Sequence, residues 1–140
     1  MNEQNTYRHT LVSGLEKGVF TCYEVKSCKE DVFSGNGLNF IGEKNYIVTT
    51  MQCWKDIQEK YRNGELRDHI KSLSPDNSDY WGILVAVPNY RDIQDEFYDV
   101  TPLEDPQLWQ WELRVVIPCR MGPRRRSITE LLFYMMRSGR

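Results

Sequence analysis

Glu24 and Lys26 stand two apart in Val19-Phe20-Thr21-Cys22-Tyr23-Glu24-Val25-Lys26. The run is rich in aromatic and β-branched residues, which predicts a strand. Residues two apart on a strand point to the same side, so a carboxylate and an ammonium share one face. Such a pair can do hydrolytic work. The carboxylate holds a divalent metal while the lysine orients a water or steadies an anionic phosphorane. The same pair can equally be a surface ion pair worth less than about 1 kcal/mol.

Arginines form the second chemical signal. Arg120, Arg124, Arg125, Arg126, Arg137 and Arg140 face only Glu130 in the last stretch of the chain. Clustered arginine can clamp phosphates. Upstream the balance reverses, with Asp92, Asp95, Glu96, Asp99, Glu104, Asp105 and Glu112 uninterrupted by Lys or Arg. That stretch reads as a solvated loop, or more sharply as a partner-binding surface or a mimic of nucleic-acid charge.

Other chemistries have little support. Cys22, Cys28, Cys53 and Cys119 form no C-x-x-C pair, and only His9 and His69 could complete a zinc site. Four reduced thiols in a cytoplasmic protein are the expectation. His9 reads as an ordinary strand residue and His69 as part of a solvated helix face. Nucleophile-elbow and phosphate-loop motifs are absent.

The elements that must position Glu24 and Lys26 can be read in outline. Thr10 to Ser13 predicts a short strand, and Leu15 to Gly18 a turn, so Val19–Lys26 completes a hairpin. Residues 27–43 read as loop. Asn45 to Thr50 predicts a buried strand, with Thr49 and Gln52 spaced as a capping box for a helix bearing Trp54, Ile57 and Tyr61. Asn63-Gly64 breaks that helix, and Glu65 to Leu73 forms another. Trp81 to Val87 is nearly all apolar, as in a central strand covered on both faces. Trp109, Trp111, Leu113, Val115 and Ile117 alternate with more polar residues, which predicts a half-buried strand near an edge that turns these five side chains inward. A last helix runs from about Ser127, whose spacing to Glu130 is a second capping box.

The chain has 140 residues, Lys+Arg 18 against Asp+Glu 20, and a formal net charge of -2. That suits a single domain over 1–140, with an acidic insert at about 89–108. Hydrophobic residues at 40% exclude a disordered chain. No apolar run approaches a membrane span, and the polar start Met1 to Asn5 does not read as a signal peptide.

The stretch Tyr23 to Asp31, followed by Asn39 to Val48, resembles small proteins of phages and mobile elements. These belong to the PD-(D/E)XK nuclease superfamily, close to its MmcB-like and VRR-NUC groups. The resemblance includes Gly18 ahead of E-x-K and Asp31 seven residues past Glu24. It covers residues 8–88 and, more loosely, 113–140. It implies an α/β fold of restriction-endonuclease type, a mixed central sheet flanked by helices, and Mg²⁺- or Mn²⁺-dependent cleavage of DNA. By resemblance, Glu24 is a metal carboxylate, the Val25 carbonyl a further metal ligand, Lys26 the catalytic lysine, and Asp31 a support for the loop or lysine. Lys29, Arg124, Arg125 and Arg126 are the candidate nucleic-acid contacts.

One motif departs from the pattern. The family's first Asp stands about fourteen residues ahead of the E-x-K glutamate, and Thr10 occupies that register here, beside His9. Threonine is a poor ligand for a hard cation. Glu16 or Asp31 would have to substitute, or the fold survives without nuclease activity. The expectation is a DNA-acting protein, either a small nuclease or a degenerate DNA-binding relative. The alternative is a phage-encoded, non-catalytic inhibitor of a host or defence protein, anti-CRISPR-like in role.

Overall fold

The structure, a computed structural model, describes residues 10–16, 18–35, 37–102 and 110–138; side chains are described outside 10–16, 77 and 138. Five strands form one mixed sheet: β1 (Thr10–Glu16), β2 (Val19–Lys26), β3 (Lys44–Thr50), β4 (Trp81–Pro88) and β5 (Trp111–Ile117). They lie side by side in chain order. The outer pairs are antiparallel and the two inner pairs parallel. Among the described residues five α-helices accompany them: α1 (Lys29–Val32), α2 (Met51–Arg62), α3 (Glu65–Leu73), α4 (Ile93–Tyr98) and α5 (Ile128–Ser138). The domain is thus α/β with a mixed sheet and accompanying helices. No helix among the described residues is long and apolar enough to cross a membrane.

The hairpin forms as its sequence predicts, though β1 continues to Glu16, opposite Val19. Gly18 closes the turn at φ +78, where a side chain would be strained. The helix after β3 starts one residue later than the predicted box. Its cap is Thr50, whose hydroxyl accepts from Cys53 N at 3.1 Å. Thr49 instead points into the core. Thr50→Ala should cost about 1 kcal/mol, read as a lower midpoint in urea unfolding.

Apolar side chains of α2 and α3 form the main core. Met51, Trp54, Ile57, Leu66 and Ile70 pack with Ile47, Ile83, Val85 and Val87. A smaller cluster joins Leu131 of α5 to Phe20 and Cys22. Glu24 neighbours Ile47, and Ile47 neighbours Ile83, so both clusters lie on one side of the sheet. The opposite side carries Tyr23, Val25, Tyr46, Val48, Ala86, Leu113 and Val115, none of which joins either cluster. Tyr23 and Tyr46 stack there at 5.9 Å.

Two expectations need correction. In β5, Leu113 and Val115 are 52% and 49% exposed rather than inward. Arg114 and Glu112 take the helix-side positions beside Val85 and Val87, and a register shift opposite Ile83/Leu84 leaves Val116 and Ile117 to reach the core. Trp109 lies outside the described residues. The acidic stretch is not all solvated loop either. Its α4 is capped by the Asp92 side chain and pinned by Glu96, which is buried.

Candidate functional site

β2 buries Phe20, Cys22, Glu24 and Lys26 along one face. Glu24 is 3% exposed and Lys26 4%. Two ionic groups this deep must be compensated, because desolvating each one costs several kcal/mol. The compensation comes from the segment that leaves the strand. α1 places Asp31 so that its carboxylate accepts from Lys26 Nζ at 3.4 Å and from Ser27 N at 3.3 Å. The chain then returns over the strand at Gly37.

Gly37 closes the site. Its φ is +79, and a Cβ built there would overlap Glu24 Oε1 and stand 2.9 Å from Lys26 Nζ. Backbone therefore rests directly on both functional groups. Leu38 and Phe40 are buried immediately after it. Ser74 fastens this segment, donating to Leu38 O at 2.6 Å and accepting from Phe40 N at 3.0 Å.

Of the predicted catalytic residues, Glu24, Lys26 and Asp31 do come together. Thr10 lies directly opposite Glu24 across the β1–β2 ladder, the place the resemblance assigns to a metal-binding Asp. Glu16 pairs with Val19 at the far end of the hairpin, so its backbone is poorly placed to substitute. Asp31 is committed to Lys26 and Ser27. Val25 sits opposite Val48 in the parallel ladder, with its side chain 40% exposed on the other face. Among the described residues, no three His, Cys, Asp or Glu side chains form a group able to hold a metal ion. Mg²⁺ is commonly held by one or two carboxylates and several waters, but here Asp31 is engaged by Lys26 and Ser27 N and the Gly37 backbone lies against Glu24, which leaves little room for such a shell.

The predicted nucleic-acid contacts do not converge on that site. Lys29 lies on α1, half-buried, just past the end of β2. Arg124 sits at the strand's beginning, where its guanidinium donates to Glu43 Oε1 at 2.7 Å and to Gly18 O. A strand of 8 residues separates the two regions by roughly 20–25 Å. Arg126 pairs with Glu130 at 3.4 Å and lies over the Tyr134 ring. Arg120 and Arg125 are exposed on the same segment.

His69 is not on a free face: its Nε2 meets Val32 O at 3.0 Å and its ring packs on Phe33, tying α3 to α1. His9 lies outside the described residues. The four cysteines are free thiols. Burial pushes the Cys22 thiol up to about 12 and Cys53 up to about 11, so neither is a ready nucleophile.

Several residues that shape these sites carry no distinguishing signal in their types. Gly37 reads as one more loop glycine. Nothing in the sequence marks Glu43 as the partner of Arg124. Glu96 reads as one more acid in a run. Its Oε1 accepts from Arg91 Nη1 at 3.1 Å, Thr101 N at 2.7 Å and Thr101 Oγ1 at 2.6 Å. Arg91, one residue ahead of the acidic stretch, is the available hint. No family model, curated protein or solved structure matches the chain.

Proposed function

We propose that this chain is a catalytically degenerate protein of PD-(D/E)XK type, restriction-endonuclease-like in its fold, which binds DNA without cutting it. The observation that carries the reading is Gly37 seated on Glu24 and Lys26. The pair persists at the expected place on a hairpin strand, yet backbone occupies the space that a metal and a phosphodiester would need. Threonine opposite Glu24, and an Asp31 spent on Lys26, support the same reading. Mg²⁺ or Mn²⁺ has no part in it. Exposed Arg120 and Arg125, with Arg126 beside them, are the basic groups left to face phosphates.

The test incubates linear, circular and single-stranded DNA with Mg²⁺ or Mn²⁺, and separately follows binding by fluorescence anisotropy as salt is raised. The expected outcome is no cleavage, with affinity that falls steeply with salt. Arg125→Ala should lower the salt slope by about 1. Cleavage that disappears in Lys26→Ala would overturn the degenerate reading.

Absence of salt-dependent binding would favour a second reading, a phage-encoded inhibitor that engages a host or defence protein. One observation supports it. Glu96 anchors α4 from below, so Asp95 stands exposed on a fixed helical turn, with Asp99 exposed just past its end.

A further inference from the structure

Among the described residues, the first five positions of the last strand, ahead of its bulge near Val116, carry neither proline nor lysine. β5 reads Trp111-Glu112-Leu113-Arg114-Val115-Val116-Ile117, with no Pro and no Lys. Its pairing with β4 runs without a shift from Trp111 to Val115. Edge strands are commonly blunted by lysine, proline or a bulge, because their outer N–H and C=O groups otherwise template another strand. At the other edge, α5 packs against β1. Leu113 and Val115 are half exposed on the open face of the sheet, beside half-buried Trp111.

The order of residues on this edge says what would cover it. About a two-fold axis through Leu113, antiparallel pairing sets Glu112 opposite Arg114 of a second copy, and Arg114 opposite Glu112. Leu113 meets Leu113, and Trp111 meets Val115. From Trp111 to Val115 every charge finds its opposite and every apolar residue an apolar one, while Val116 falls opposite Gln110. Within one chain the same two side chains already pair, Arg114 Nε donating to Glu112 Oε1 at 2.7 Å. They project to one side of the sheet; Arg114 Nη2 also donates to Pro88 O and Asn89 O, at 3.4 and 3.3 Å, and would have to release these to reach a partner across the axis. An isologous contact requires this kind of self-complementarity.

We propose that the protein forms a two-fold dimer through β5, joining two five-stranded sheets into one continuous sheet with a shared apolar face. The inference is independent of whether the chain binds DNA. The contacts form only between the two β5 edges, and like charges directly opposite each other on neighbouring strands are unfavourable.

Sedimentation equilibrium on the full chain, from about 1 to 200 µM, tests the proposal. The wild-type protein is expected to show twice the chain mass at the upper concentrations. Glu112→Arg and Arg114→Glu each set two like-charged pairs across the axis, so each should weaken the dimer roughly tenfold or more. The double variant Glu112→Arg with Arg114→Glu restores opposite charges and should return the constant to within about threefold of wild type. All three alter exposed or half-exposed positions, and circular dichroism checks that they fold. A wild-type monomer at 200 µM overturns the proposal. So does a dimer indifferent to both single reversals, or a double variant no better than the singles.

Discussion

Lys26→Met should lower stability by about 3–5 kcal/mol, a fall in the melting midpoint on the order of 10 °C. The change removes a buried cation beside Glu24 and takes away a partner of Asp31. A buried carboxylate stripped of its counter-charge is far more costly than the pair was favourable. The double variant Lys26→Met with Glu24→Gln should therefore recover much of the loss, because no buried charge is left uncompensated. A catalytic pair in an open cleft predicts the opposite pattern, with little change in stability and complete loss of reaction. Thermal unfolding of the two variants beside wild type separates the cases. If Lys26→Met melts with wild type, the ammonium is not holding this site together, and the degenerate reading loses its structural basis.

Gly37→Val tests the same site from the other side. Residue 37 has φ +79, a conformation that costs a β-branched residue roughly 1–3 kcal/mol by itself. The new side chain would also have to displace Glu24 Oε1 and crowd Lys26 Nζ. A total loss of about 2–4 kcal/mol is expected, measured as a lower urea midpoint. Gly35→Val serves as the control, since nothing lies within 4 Å of a Cβ at that position. Equal stability of the two variants would mean that the segment lifts off Glu24 at little cost, and the site would then count as openable.

The strands are readable where local pattern and tertiary environment agree. Val19–Lys26 and Glu65–Leu73 have the limits their residue types imply, because alternation, helical spacing and the Asn63-Gly64 break all act locally. β4 is an interior strand, paired with β3 and β5, but both core clusters lie on one face of the sheet rather than covering it on two. β5 shows where that logic ends. Alternation reveals that one face is apolar, but not which side of the sheet it meets. Here Leu113 and Val115 turn to the open side. In the candidate site, the shared face of Glu24 and Lys26 follows from strand geometry alone. Its closure does not, because Gly37 acts through space on residues far from it in sequence. The pairing of Arg124 with Glu43 is hidden for the same reason: 81 positions separate the partners.

The route of the C-terminal segment carries a consequence for synthesis. After β5 the chain crosses back past β3, where Gly122 N donates to Glu43 O at 2.6 Å, and α5 finally seats Leu131 on Phe20 and Cys22 of the first hairpin. The hairpin of β1 and β2 thus obtains its apolar cover from a helix that is translated long after it. Until α5 has been translated and has cleared the exit tunnel, the hairpin must wait with Phe20 uncovered. Nascent chains stalled before residue 128 should accordingly be more protease-sensitive in the first hairpin than in β3 and β4, whose covering helices α2 and α3 emerge alongside them.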